Sequence, residues 1–186
     1  MKKVLSLCLL LFCGFVLQAC TPAYKIDNRA SKNLGAAKPV LKPSDKIAII
    51  MPADGKYKRL VYPQTGLQVA EKLIFAFRKY TGGVSLVEQV MSIEAAKSYA
   101  KQNGFKHIVY PEIIKWEDRM TAVSGKRDRV SIHMTVFDVD NNKTVDDCII
   151  YGNGSLNVWA SAKTPEILLE EPFSIYTAML FGAYNK

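Results

Sequence analysis

Few side chains in this sequence could do covalent or acid–base chemistry, and their spacing excludes more than it offers. Histidine occurs twice, at His107 and His133. No Cys or His pair has metal-ligand spacing, so no metal is expected. Cysteine stands at Cys8, Cys13, Cys20 and Cys148. Cys148 lies in the apolar run Cys148-Ile149-Ile150-Tyr151, which suits a small buried hydrophobe better than a catalytic thiol. No Ser-His-Asp constellation, phosphate loop or paired-carboxylate geometry can be drawn, and a non-enzymatic protein is expected. What stands out is two clusters of mixed aromatic and charged residues. One is Pro52-Ala53-Asp54-Gly55-Lys56-Tyr57, followed by Tyr62 and Gly66. The other is Trp116-Glu117-Asp118-Arg119, followed by Ser124-Gly125 and Asp128-Arg129. Two readings stay open. Asp54-Gly55 can be turn chemistry, with Glu117, Asp118, Arg119 and Arg129 forming a surface ion-pair network. Alternatively, Asp54, Tyr57, Tyr62, Trp116, Glu117, Asp118, Arg119 and Arg129 form a binding rim. Glu117 and Asp118 are adjacent, so on a strand they point to opposite faces and make a poor acid–base pair.

Cys20 belongs to a different chemistry. Lys2 and Lys3 precede an apolar run from Val4 to Leu17, and Gln18-Ala19-Cys20 follows. A charged start, a short apolar segment and a small residue before the cut are the layout of a secretory signal, here residues 1–19. The run is too short to span a bilayer comfortably. Leu17-Gln18-Ala19-Cys20 resembles the lipobox of bacterial lipoproteins. The resemblance implies a diacylglycerol on the Cys20 sulfur and a further acyl chain, such as palmitate, after cleavage. That lipid is the only attached group expected. Several acyl chains, at about 0.8 kcal/mol per buried methylene, anchor stably. Thr21 follows the cysteine where an Asp would mark retention in the inner membrane. The same resemblance therefore implies the periplasmic face of the outer membrane in a diderm bacterium. Cleavage leaves Cys148 as the one thiol outside the anchor, so no intramolecular disulfide is expected.

The formal charge of +8 hints at a polyanion until it is divided along the chain. Lys2 and Lys3 leave with the signal. Thr21 to Pro43 holds five basic residues and one acid, and Ser44 to Lys186 holds 18 basic and 16 acidic side chains. The excess thus sits beside the lipid, where it suits a membrane surface better than nucleic acid, and no nucleic-acid motif is present. Residues 20–43, poor in large apolar groups, are expected to be a flexible basic tether. Its r.m.s. reach of roughly 25–30 Å would hold the domain clear of the membrane.

Residues 44–186 supply the elements that must position the two clusters. Ile47 to Met51 is a continuous apolar run, the pattern of a strand buried on both faces. Gly66 to Tyr80 places Leu67, Ala70, Leu73, Ile74 and Phe77 on one helical face. Val84 to Val87 is a short strand, and Ser92 caps a helix reaching Gln102. His107 to Trp116 is a third strand, with a bulge expected at Pro111 because proline cannot donate to a ladder. Asp128 to Asp140 alternates, Asn141-Asn142-Lys143 turns, and Thr144 to Tyr151 returns. Thr164-Pro165-Glu166 opens a last helical region that Pro172 is expected to split. The class is α/β (α+β), one mixed sheet in the order β-α-β-α-β-β-β-α. Right-handed crossovers give the strand order 2-1-3-4-5.

In such a sheet ligands bind beyond the carboxyl ends of parallel strands, where the strand order reverses. Both clusters fall there. Their two patterns resemble the motifs of a family of bacterial lipoproteins known only as a domain of unknown function. The likeness runs from about Ile47 to Phe181 and departs at Lys126-Arg127, where a less basic pair is usual. It implies a periplasmic α/β domain on a lipid anchor and no known activity. At fold level the pattern is also similar to small α/β domains of envelope assembly lipoproteins, including the curli secretion lipoprotein and the amino-terminal part of the Tol translocation protein. A binding or structural component of the envelope is therefore expected, its partner another envelope protein or the cell wall. A small-ligand or enzymatic role at the same rim is the alternative.

Overall fold

The computed structural model describes residues 24–27, 39–119, 126–154 and 165–184. The expected signal, Cys20, the Ser124-Gly125 pair and the Thr164 cap lie outside the described residues. The elements in chain order are β1 (Tyr24–Asp27), β2 (Ile47–Ile50), β3 (Lys56–Tyr57), β4 (Leu60–Val61), α1 (Thr65–Phe77), β5 (Val84–Val87), α2 (Ile93–Gln102), β6 (His107–Glu117), β7 (Arg129–Asp138), β8 (Lys143–Asn153), a 3-10 turn (Pro165–Leu169) and α3 (Glu170–Leu180).

The main sheet is mixed, in the order β1-β8-β7-β6-β2-β5. β2 is parallel to β5 and β6, whereas β6, β7, β8 and β1 are antiparallel in succession. The class is the expected one, and the strand order departs from the expectation at β1. All four residues of β2 are buried, which explains its unbroken apolar run. Ile47 and Ile49 face a core shared with α1 and α3, where Leu73, Phe77, Phe173 and Tyr176 pack. Ala48 and Ile50 face a second core with Ala96 and Ala100 of α2. Ser92 caps α2 by accepting from the Ala95 amide at 3.3 Å.

Three local expectations are corrected. The stretch read as flexible tether holds β1, whose Tyr24–Asp27 pairs with Ile149–Gly152 of β8. Leu41 is 1% exposed, and the Val40 and Leu41 amides both donate to the Leu180 carbonyl. A polar, lysine-rich average concealed two short apolar footholds, Tyr24 with Ile26 and Val40 with Leu41. Second, the irregularity in β6 falls between Ile113 and Lys115, not at Pro111, which pairs with Met134 in regular register. β2 accompanies β6 only as far as Val109, so on that side no neighbouring strand asks Pro111 for an N–H. Third, Pro172 does not divide the last helical region. The 3-10 turn passes into α3 at Glu170, and Pro172 sits in the first helical turn, where no N–H is needed.

Candidate functional site

The segment between β2 and α1 folds back over the end of β6. Its anchor is Asp54. One carboxylate oxygen accepts from the Gly66 amide at 2.9 Å and the other from the Gln64 amide at 3.2 Å. These amides stand at the start of α1, so Asp54 supplies from a distance the cap that Gln64, with φ of 67°, does not. Thr65 Oγ1 accepts from the Gly55 amide and donates to the Tyr62 carbonyl, both at 2.8 Å. The Tyr62 amide donates to the Gly55 carbonyl at 3.0 Å. A methyl group on Gly66 would land on the Pro52 carbonyl oxygen, and one on Gly55 would come within 2.7 Å of the Trp116 Cβ. Proline, aspartate and both glycines of the first cluster therefore have structural duties within one joint.

The second cluster is the other half of that joint. Trp116 lies under Gly55 and is 2% exposed. The irregularity at Ile114 is the cause. Val109 and Ile113 face the α1/α3 core, so strict alternation would bring Lys115 inward. The one-residue shift turns Trp116 inward instead, opposite Val130. Glu117 is buried beside it, ion-paired to Lys115 Nζ at 3.1 Å and to Arg119 Nη2 at 2.7 Å. Arg119 also donates to the Tyr57 hydroxyl at 3.1 Å and lies 5.4 Å from that ring's centre. The Arg119 amide donates to the buried Asp128 carboxylate at 2.6 Å. Asp118 points out, and burial, reinforced by the charges of Asp128 and Glu166, raises its pKa above the usual carboxylate value. Arg129 is exposed and lies opposite Glu117 in register.

All eight rim residues are thus gathered at one edge of the sheet, and they divide in role. Trp116 and Glu117 are interior, with Trp116 packed beneath the loop at Gly55 and outside any exposed rim. Asp54 is a helix cap. Tyr57 and Arg119 tie hairpin to strand, Tyr62 packs on the core, and Asp118 and Arg129 face solvent.

Residues 40–180 match the family described as a domain of unknown function, DUF4823. This chain belongs to that family. The family's two motifs, on this geometry, are the two halves of the joint between the β2–α1 loop and the end of β6. Among solved structures, the chain is similar to PelC from Paraburkholderia phytofirmans, described as a dodecamer, at 12% identity and TM-score 0.62, covering 87% of this chain and 99% of that one. A single-substitution variant of the same dodecamer gives 14% identity, TM-score 0.61 and coverage of 85% and 98%. A lipoprotein of Neisseria meningitidis, GNA1162, overlaps more loosely, at 12% identity and TM-score 0.39 over 62% and 85%. No curated protein matches the sequence. At such identities the PelC likeness speaks for fold alone.

Two features near the rim were not singled out from sequence. Beyond the ends of β2 and β5, against the middle of β6, lies a groove of about 420 Å³, lined by Met51, Asp54, Met91, Tyr110, Glu112 and Ile114 among others. It occupies the crevice where the strand order reverses, and Trp116 and Arg119 do not line it. The second is the β3–β4 hairpin, which carries Lys56, Lys58 and Arg59 and leaves Leu60 and Val61 63% and 53% exposed. Neither run is long enough to give a periodic signal. Among the described residues no group of three His, Cys, Asp or Glu is placed to hold a metal, and no helix is long and apolar enough to cross a membrane.

The histidines behave oppositely. Burial keeps His107 below its ordinary pKa, although Asp45 and Asp138 lie 3.4 and 3.9 Å from its ring nitrogens. For His133 burial also opposes charge, but Asp147 and Glu112, each 3.0 Å from one ring nitrogen, outweigh it and raise the pKa. A raised folded-state pKa stabilises fully below the unfolded value and is lost as pH rises through the folded one. His133→Asn is therefore expected to cost more stability near roughly pH 6 than near roughly pH 8. Taking the difference from wild type at each pH cancels His107. Equal costs at both pH values would refute the cross-strand clasp.

Proposed function

We propose that this protein is a lipid-anchored component of the bacterial envelope that works by binding and not by catalysis. It is acylated on Cys20, lies at the periplasmic face of the outer membrane and binds another envelope component, a protein or the cell wall. It uses no cofactor beyond its lipid. The observation that carries the binding reading is the use made of the two motifs. Asp54, Trp116, Glu117 and Arg119 are committed to helix capping, core packing and ion pairing, so the residues with the most chemical promise act as scaffold. The sequence from Lys2 to Cys20 supports the anchor, and the fold shared with the dodecamer PelC supports work in an assembly.

Cys20→Ser is expected to release the protein from membranes or stall its processing, since it removes the acylation site. A processed Cys20→Ser protein that still partitions with membranes would refute the anchor. Density-gradient fractions holding wild type only with inner membrane would refute the outer-membrane placement. Crosslinking in intact cells, then pull-down on the domain, is expected to give discrete species larger than the monomer.

The groove beyond β2 and β5, against β6, favours the alternative, a small ligand. A ligand held there raises the melting temperature by mass action, and filling the groove with Met91→Trp abolishes that rise.

A further inference from the structure

The direction of β1 fixes where the chain leaves the domain. Tyr24 pairs with Gly152, Gly152 with Val130, and Val130 with Trp116. Tyr24 therefore stands in the same row of the sheet as Trp116, at the edge that carries the hairpin. The strand runs inward from there to Asp27, so the end of β1 nearest Cys20 in sequence stands at the rim. Cys20 is four residues ahead of Tyr24. Even fully extended, that stretch reaches only about 14 Å. β7 spans ten residues, so the opposite edge, at the Asn141–Asn142 turn, lies roughly 30 Å further on. An acyl group on Cys20 thus holds the rim within that reach of the membrane and sets no such limit on the far edge.

The rim is built for such a surface. The β3–β4 hairpin projects from it, with Lys58 in a left-handed turn (φ of 56°). Arg119, bonded to the Tyr57 hydroxyl, pins the hairpin's base, while Leu60 and Val61 remain exposed. Lys56, Lys58 and Arg59 are exposed on the hairpin, and Arg127 and Arg129 are exposed on either side of Asp128, which the Arg119 amide joins to the same knot. Asp118 and Glu166 oppose them there, but the basic side chains are in excess. An apolar tip ringed by cations is the composition of an interfacial membrane contact, and negative lipid surfaces attract it within a Debye length.

We propose that this rim is the face turned to the membrane. Lys56, Lys58, Arg59, Arg127 and Arg129 take anionic phospholipid headgroups while Leu60 and Val61 enter the interface. The inference rests on the lipid anchor proposed above, and the experiment separates the two. Full-length acylated protein is reconstituted into vesicles of phosphatidylethanolamine containing phosphatidylglycerol and recovered by flotation. A spin label is placed at Leu60→Cys or, at the far edge, Lys143→Cys; Cys148 is buried and does not compete. The Leu60 label is expected to be several-fold less accessible to a water-soluble nickel chelate than the Lys143 label. The triple change Lys56→Glu, Lys58→Glu, Arg59→Glu returns the Leu60 label to water while the protein still floats. Arg127→Glu, outside the hairpin, shifts it in the same direction. A floating wild-type protein whose two labels are equally accessible would overturn the membrane-facing rim and leave the anchor standing. Protein that does not float would overturn both.

Discussion

Trp116→Ala is expected to destabilise the domain by about 3–5 kcal/mol, the usual cost of deleting a buried large aromatic side chain. Trp116 is among the largest fully buried side chains and supports two structures at once. Its ring fills the α1/α3 core opposite Val130, and its Cβ is the floor on which Gly55 rests. Losing it leaves a cavity and frees the loop whose Asp54 caps α1, so the cost belongs at the upper end of that range. Chemical denaturation of the two proteins measures it. A loss below about 1 kcal/mol, the range of surface substitutions, would place the indole in solvent and contradict its place in the core.

Ile49→Asp is expected to cost more still. Ile49 is 0% exposed on a strand flanked on both sides, and it faces the main core. An isolated carboxylate there has no partner, and unpaired burial costs several kcal/mol even after the group neutralises itself. With a total stability of about 5–15 kcal/mol typical of single domains, the variant is expected to lack a cooperative transition near room temperature. Ile49→Val, at about 0.5–1.5 kcal/mol, gives a measurable companion at the same site. An unchanged melting temperature for Ile49→Asp would show that β2 does not lie inside the sheet.

The parallel half of the fold was legible because three strands and two helices alternate in an order that right-handed crossovers allow in few ways. Period-two alternation in residues 128–140 then added β7 and β8. β1 was not legible, because four residues with Tyr24 and Ile26 as their only apolar side chains are below any periodic signal, and β8 supplies their pairing. The site was legible in position, and of the two readings open for it the structural one fits Glu117 and Arg119, which are ion-paired. Topology brought Asp54 and Trp116 to one edge, but helix capping across twelve residues, from Asp54 to Gly66, leaves no local pattern. The inward turn of Trp116 depends on a one-residue register shift at Ile114, and strict alternation places that ring on the wrong face. The Lys126-Arg127 departure, which weakened the motif as a motif, gains a use once Arg127 is seen exposed beside the basic hairpin.

The family's two motifs form one joint, with the Asp54–Gly66 loop held to the end of β6. The most direct measurement is a double-mutant cycle across it, using Tyr57→Phe and Arg119→Met, with stabilities from chemical denaturation. Tyr57 and Arg119 meet only if the loop lies on the strand, through a 3.1 Å hydrogen bond and a ring contact at 5.4 Å. Residues in such contact couple by about 0.5–3 kcal/mol, so the double variant is expected to lose less than the two single losses added together. Strict additivity, to within the roughly 0.3–0.5 kcal/mol seen for distant sites, would contradict the joint.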